Sequence, residues 1–199
     1  MKYKPLIESA TDLLGIGEEN FHGLLTLLDK ALVDNIPGAV VELGCAQGVT
    51  TTYLRRVMDE LHRYDLHVFD SFEGLPAKRD EDGGDGRFAQ HSFAMGPEIL
   101  LANFAKRGLT PPVIHKGWFG EITDYPGTIA FAFLDGDFYD SITDGLRMVW
   151  PRLASGAVVA VHDYGYDPLP GVERACNDFF GPLGITVQDD VGIHYFTKP

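Results

Sequence analysis

At 199 residues, with 45% hydrophobic and 23% charged side chains, the chain suits one α/β domain with a substantial core. Its net charge of −13 excludes the basic surface that nucleic acids and anionic membranes require, so neither is expected as a partner. Cys45 and Cys176 stand in no CxxC or zinc spacing, MKYKPLIESATD lacks an apolar signal core, and no run approaches the ~20 apolar residues of a membrane span, so a cytoplasmic address is expected.

Phe21, Leu24, Leu25, Leu28 and Leu32 recur at helical spacing, which predicts an amphipathic helix over 18–34, ended by Pro37-Gly38. AVVELG (39–44) reads as a buried parallel strand. Leu54, Val57, Met58 and Leu61 mark a helix over 48–63, and LHVFD (66–70) a second buried strand. RDEDGGDGR (79–87) is too charged and too rich in glycine for a core and reads as a mobile loop. Gly96-Pro97 opens a helix that Gly108 stops. PVIHK (112–116), IAFAFLD (129–135) and GAVVAVHD (156–163) are strands three to five. Between the last two, Ile142, Leu146, Val149, Trp150 and Leu153 form one helical face; Val172, Ala175, Cys176, Phe179 and Phe180 form that of a final helix. ITVQDD and GIHYFTKP stand close enough to pair as a hairpin. So short a linker forbids a parallel crossover, and one of the two must run antiparallel. A mostly parallel sheet of seven strands, with helices on both faces and an antiparallel terminal hairpin strand, is the Rossmann-like architecture of class I methyltransferases. One domain over 1–199 is expected, with 1–36 a helical segment packed on the core and 76–95 a flexible, lid-like loop.

Ligands in such sheets bind beyond the carboxyl ends of the strands. There the first strand runs into Glu42-Leu-Gly44-Cys45-Ala46-Gln-Gly48. Small residues at 44, 46 and 48 let the backbone turn tightly against a ligand. A nicotinamide fingerprint aligned on Gly44 would want glycines at 46 and 49, where Ala46 and Val49 stand; the pattern acidic-x-Gly-x-small-x-Gly fits S-adenosylmethionine instead. Asp70, ending the second strand, can accept both hydroxyls of a ribose, a role that serves NAD equally. The cofactor set read from this end is Glu42, Gly44, Cys45, Ala46, Gly48, Thr50, Asp70 and Ser71, joined by Asp135.

The fourth strand ends in Asp135-Gly-Asp137 and the fifth in His162-Asp163. Neighbouring strands would crowd three carboxylates and an imidazole into one pocket, where the carboxylates repel unless a cation joins them. Oxygen ligands favour Mg²⁺, Mn²⁺ or Ca²⁺; Mg²⁺ is expected, with Mn²⁺ brought in by His162. Such an ion would acidify a hydroxyl whose proton a nearby carboxylate takes, which makes O-methylation the fitting chemistry. Two other readings stay open: a metal-independent methyltransferase with Asp137 or His162 as base, and a non-catalytic module that binds the cofactor.

VELGCAQGVTT (41–51), HVFDSFEGLP (67–76), KGWFGEI (116–122), FLDGDFYDSI (133–142), HDYG (162–165) and PGVERACNDFF (170–180) together resemble the macrocin O-methyltransferase (TylF) family, over roughly 35–180. The resemblance implies a Mg²⁺-dependent enzyme that methylates sugar hydroxyls of natural products. It implies Asp135 and Asp163 as metal ligands, Asp137 as general base, and Asp70 with Ser71 as the ribose-binding segment. His162 stands where the family carries the first Asp of an Asp-Asp pair. The acceptor is expected to be a small molecule, a sugar or glycosylated metabolite, and a homodimer is compatible with the family. The 76–95 loop and the Trp118-Phe119 pair would form a lid and an apolar wall.

Overall fold

The two most apolar runs form the middle of the sheet. AVVEL (β1, Ala39–Leu43) and IAFAFL (β4, Ile129–Leu134) are buried at every position, as strands covered on both faces must be. They pair in parallel, with Leu43 opposite Leu134. β2 (Leu66–Asp70) lies outside β1, β3 (Val113–Lys116) outside β2, and β5 (Leu153–Val161) outside β4, all parallel. β6 (His194–Thr197) then runs antiparallel to β5, placing Tyr195 opposite Ala160. The order is β3-β2-β1-β4-β5-β6. This computed structural model describes Tyr3, Leu6 and residues 16–63, 65–83 and 86–199, so the expected helical segment 1–36 falls in part outside the described residues, as do positions 84 and 85 of the loop.

The sheet has six strands among the described residues, not the expected seven. Of ITVQDD, only Gln188 pairs, exchanging two backbone hydrogen bonds of 2.9 Å with Tyr195. Residues 186–190 are all exposed. Ile185 packs against the core, but Val187 is exposed, so the alternation is not sustained and one bridge is all that forms. The antiparallel return itself stands in β6.

Strand alternation sends Val41, Leu43, Ala132 and Leu134 to one face, where they meet α4 (Tyr139–Val149) and α5 (Pro170–Phe180). Val40, Phe131 and Phe133 face the other way, onto α1 (Glu18–Val33) and α2 (Val49–Glu60). α3 (Pro97–Lys106) covers the same side under β2, through Leu100 and Phe104 against Val68. Strand order reverses between β1 and β4: the chain leaves β1 for β2 and β3, then returns to β4 on the other side. Such a reversal leaves a crevice at the carboxyl ends of the two strands, because the helices that follow them pack on opposite faces.

Candidate active site

The crevice is a cleft of about 1140 Å³. The residues that line it come mostly from the first positions past the strand ends, where the backbone leaves the ladder and side chains are free to converge. Two halves can be distinguished.

The first is built on the turn after β1. Gly44 adopts φ +85°, and a Cβ there would collide with the backbone oxygen of Asp135, so only glycine lets β1 and β4 end side by side. The Cys45 and Ala46 amides donate to Oδ2 of Asp70 at 2.8 and 2.9 Å, and the Phe72 amide donates to its Oδ1 at 2.7 Å. Asp70 therefore organises the turn as well as facing the cleft. A carboxylate offers about four acceptor positions, and three N–H groups leave about one for a ribose hydroxyl. Holding both hydroxyls, as expected from the sequence, would require an amide to give way. Ser71 lies against the cleft, its hydroxyl accepting from the Glu73 amide at 3.0 Å. Thr50, Cys45 and Ala46 line the cleft too; Gly48 does not. Gly48 starts α2 with φ +68°, and Leu100 packs where its Cβ would stand, so its role is to let α3 approach.

Glu42 is buried with 1% exposure, and its Oε2 has no hydrogen-bond partner. Burial, with smaller contributions from the Asp135 and Asp70 charges, pushes its carboxyl up to about 8. At neutral pH it is mostly a protonated acid at the edge of the cleft.

The second half is built after β4 and β5. Asp135 donates its amide to Leu43 O at 2.8 Å, and His162 donates its amide to Leu134 O at 2.9 Å, so the ladder carries both residues to its last rung. His162 Nδ1 lies 3.0 Å from Asp135 Oδ1 and 3.0 Å from Asp163 Oδ2. Burial works against a charged imidazole here, yet the two carboxylates outweigh it and raise His162 to about 11. One ligand atom each from Asp135, His162 and Asp163 falls within a 4.8 Å span. Neighbouring ligands of an octahedral ion with bonds of about 2.1 Å stand about 3 Å apart, so the donor set fits a divalent cation, and its imidazole suits Mn²⁺ better than Mg²⁺.

Asp137 completes this half. Burial first, and then the charges of Asp135 and Asp163, hold its carboxyl well above the usual range, with His162 opposing them. Its backbone is in the left-handed region, φ +61°, closed by the Phe138 amide donating to Gly136 O at 2.7 Å. Such a γ-turn is strained in a residue with a Cβ. Ala46, Phe93 and Asp163 also line the cleft with positive φ, so backbone strain gathers at this site.

Phe88 and Phe93 of the 76–95 loop line the cleft, as do Trp118, Phe119 and Tyr166. The Leu75 amide donates to Ser92 O and the His91 amide to Leu75 O, which closes the loop at its base. The 79–87 stretch, read from sequence as wholly outside the core, holds an exception: Asp82 is 1% exposed. No local signal in that charged run marks one carboxylate as buried.

The macrocin-O-methyltransferase (TylF) family matches residues 10–191. The chain belongs to that family. It is 32% identical over 188 residues to the 8-demethyl-8-(2,3-dimethoxy-alpha-L-rhamnosyl)-tetracenomycin-C 4'-O-methyltransferase of Streptomyces olivaceus, covering 86% of this chain and 69% of that protein. It is 28% identical over 187 residues to the mycinamicin III 3''-O-methyltransferase of Micromonospora griseorubida, covering 86% of this chain and 71% of that one. The solved O-methyltransferase NovP superposes with a TM-score of 0.76 at 26% identity, covering 92% of this chain and 81% of that one. This TylF-family chain is thus an S-adenosylmethionine-dependent O-methyltransferase, and the glycine turn and Asp70 form the half of the cleft suited to that cosubstrate.

Proposed function

We propose that the protein methylates a sugar hydroxyl of a glycosylated small molecule, with Asp137 as general base and a divalent cation held by Asp135, His162 and Asp163. The observation that carries this reading is the placement of Asp137 beside that three-residue cluster, in the same cleft as the glycine turn. Two relatives are named for methylating a rhamnosyl-tetracenomycin and mycinamicin III, which supports a glycosylated acceptor.

Methyl transfer needs an oxygen lone pair in line with the sulfonium methyl, and most of the barrier is met by positioning. The turn over residues 44–46 and one free acceptor position of Asp70 would seat the nucleoside. Ser71 would lie beside it. Glu42 would face the cofactor as a neutral acid. An acceptor ring would rest against Phe88, Phe93 and Trp118, where flat apolar faces suit the C–H faces of a sugar. Asp137 would take the hydroxyl proton as the C–O bond forms. Its raised affinity for a proton makes it a stronger base than a solvated carboxylate once ionised. The positive sulfonium entering the cleft favours that ionisation. A divalent cation at the cluster would supply Lewis acidity and lower the pKa of the acceptor hydroxyl.

A second reading rests on one geometric fact. His162 as an imidazolium bridges Asp135 and Asp163 at 3.0 Å each and offsets one of their two charges, which favours a cluster that works without a metal. The two readings separate in one methyl-transfer screen of sugar, catechol and carboxylate acceptors, with and without chelator. The metal-assisted reading expects turnover with a glycoside, loss on chelation, and recovery with Mg²⁺ or Mn²⁺. Activity that survives chelation assigns the chemistry to the protein alone. Asp137→Ala should lower turnover by about 100-fold or more while S-adenosylhomocysteine binding is kept; an active variant removes Asp137 as base.

A further inference from the structure

We propose that Asp82, in the loop over the cleft, is a positioning residue for Asp137 and joins the acceptor wall to the base. This inference rests on the reading of Asp137 as the base. A non-glycine residue at φ +61° persists only where its surroundings over-determine it. Upstream, the turn is gripped by β1, through the Asp135 amide on Leu43 O. Downstream, the next free amide is that of Tyr139, the first residue of α4. The N-cap position there is Phe138, whose side chain cannot accept a hydrogen bond.

Asp82 supplies the missing acceptor from 57 positions away. Its Oδ1 accepts the Tyr139 amide at 2.6 Å, while its Oδ2 accepts the Arg79 amide at 2.8 Å. Arg79 in turn holds Asp140, in the first turn of α4, with Nε 2.5 Å from Oδ2. α5 closes the contact from the other side. Gly171 packs so tightly that a Cβ would collide with Asp82 Oδ1 and come within 3.0 Å of the Tyr139 amide nitrogen. A buried carboxylate is costly unless hydrogen-bonded, and here the start of a helix satisfies it, with the helix dipole adding to the attraction.

The consequence concerns the loop. The same segment that carries Asp82 carries Phe88 and Phe93, which line the cleft. Displacing the loop therefore releases the downstream grip on the Asp137 turn, and seating an acceptor on those aromatics steadies it. Asp82 touches no reacting atom; it acts through the backbone at 137–139.

Asp82→Ala should lower kcat about 10- to 100-fold, the loss that misplacing a catalytic group produces. Binding of S-adenosylhomocysteine by calorimetry should stay unchanged, because the glycine turn is untouched. Amide exchange at Tyr139, followed by NMR or mass spectrometry of the 137–141 peptide, should quicken in the same variant. Asp82→Asn keeps an oxygen acceptor for Tyr139 but turns its NH₂ on the Arg79 amide, so it should recover part of the kcat lost in Asp82→Ala. An Asp82→Ala enzyme with normal kcat overturns the proposal. So does a variant that loses kcat and cosubstrate affinity together and is not rescued by Asn, since that marks a role in folding alone. If Asp137→Ala is itself active, the base reading fails, and that result is independent of the exchange measurement at Tyr139.

Discussion

Glu42 shows how a single side chain can link the site to stability. Its carboxyl lies in the sheet, on the face under α2, with one oxygen unpartnered. Its pKa is raised from 4.5 to about 8 by burial. Below 4.5 the folded and unfolded chains are both protonated there, so the group adds no pH dependence. Between 4.5 and about 8 the unfolded chain loses the proton and the folded chain keeps it, so stability falls as pH rises through that window. Glu42→Gln should remove the slope between pH 4.5 and 6.5, where Glu42 acts without His162, and be more stable than the parent above pH 8, as urea unfolding at a series of pH values would show. A slope between pH 4.5 and 6.5 that persists in the variant would assign the effect to another group. His162 shifts the same way, from 6.5 to about 11, so the two act together in the upper part of the range.

The elements show where packing, and not local pattern, holds the site. β6 is four residues long, but Phe196 stacks on Phe180 of α5 with centroids 3.8 Å apart, and Tyr164 meets it edge-on. That contact fastens the sheet edge to the helix that presses Gly171 against Asp82. Phe196→Ala should cost about 3–5 kcal/mol, read from denaturant unfolding. A loss under 1 kcal/mol would show that the edge of the sheet is held by its hydrogen bonds alone. The element boundaries also explain where function sits. Asp70 is the last residue of β2, and Asp135, His162 and Asp163 lie one or two positions past a strand. Strand formation ends there because the side chains turn from layer packing to the cleft.

At the scale of the molecule, the reversal of strand order places two chemically different half-sites in one cleft. A ligand bound to the folded state alone should stabilise the whole. S-adenosylhomocysteine at ~100 times its Kd should add about 2.7 kcal/mol, a rise in Tm of roughly 5–10 °C for a chain of this length. No shift at millimolar ligand would contradict the assignment of the first half-site.

The sequence by itself determined the parallel core, the glycine turn and the residues of the acidic cluster. Runs such as IAFAFL are buried on both faces wherever they fall in such a fold, and the positive φ of Gly44 already calls for glycine before its close approach to Asp135 is counted. These are local constraints, written in residue type and spacing. The tertiary structure alone decided three things. Residues 185–190 contribute one bridge in place of a seventh strand, because alternation makes a strand only where a layer waits to cover it. Asp70 ties down the glycine turn, because two loops far apart in sequence end at the same height. Asp82 is buried, because an unsatisfied amide at the start of α4 lies within its reach. The residues that line the cleft were therefore legible at once, whereas what holds Asp137 in place depends on contacts between distant segments that no local pattern encodes.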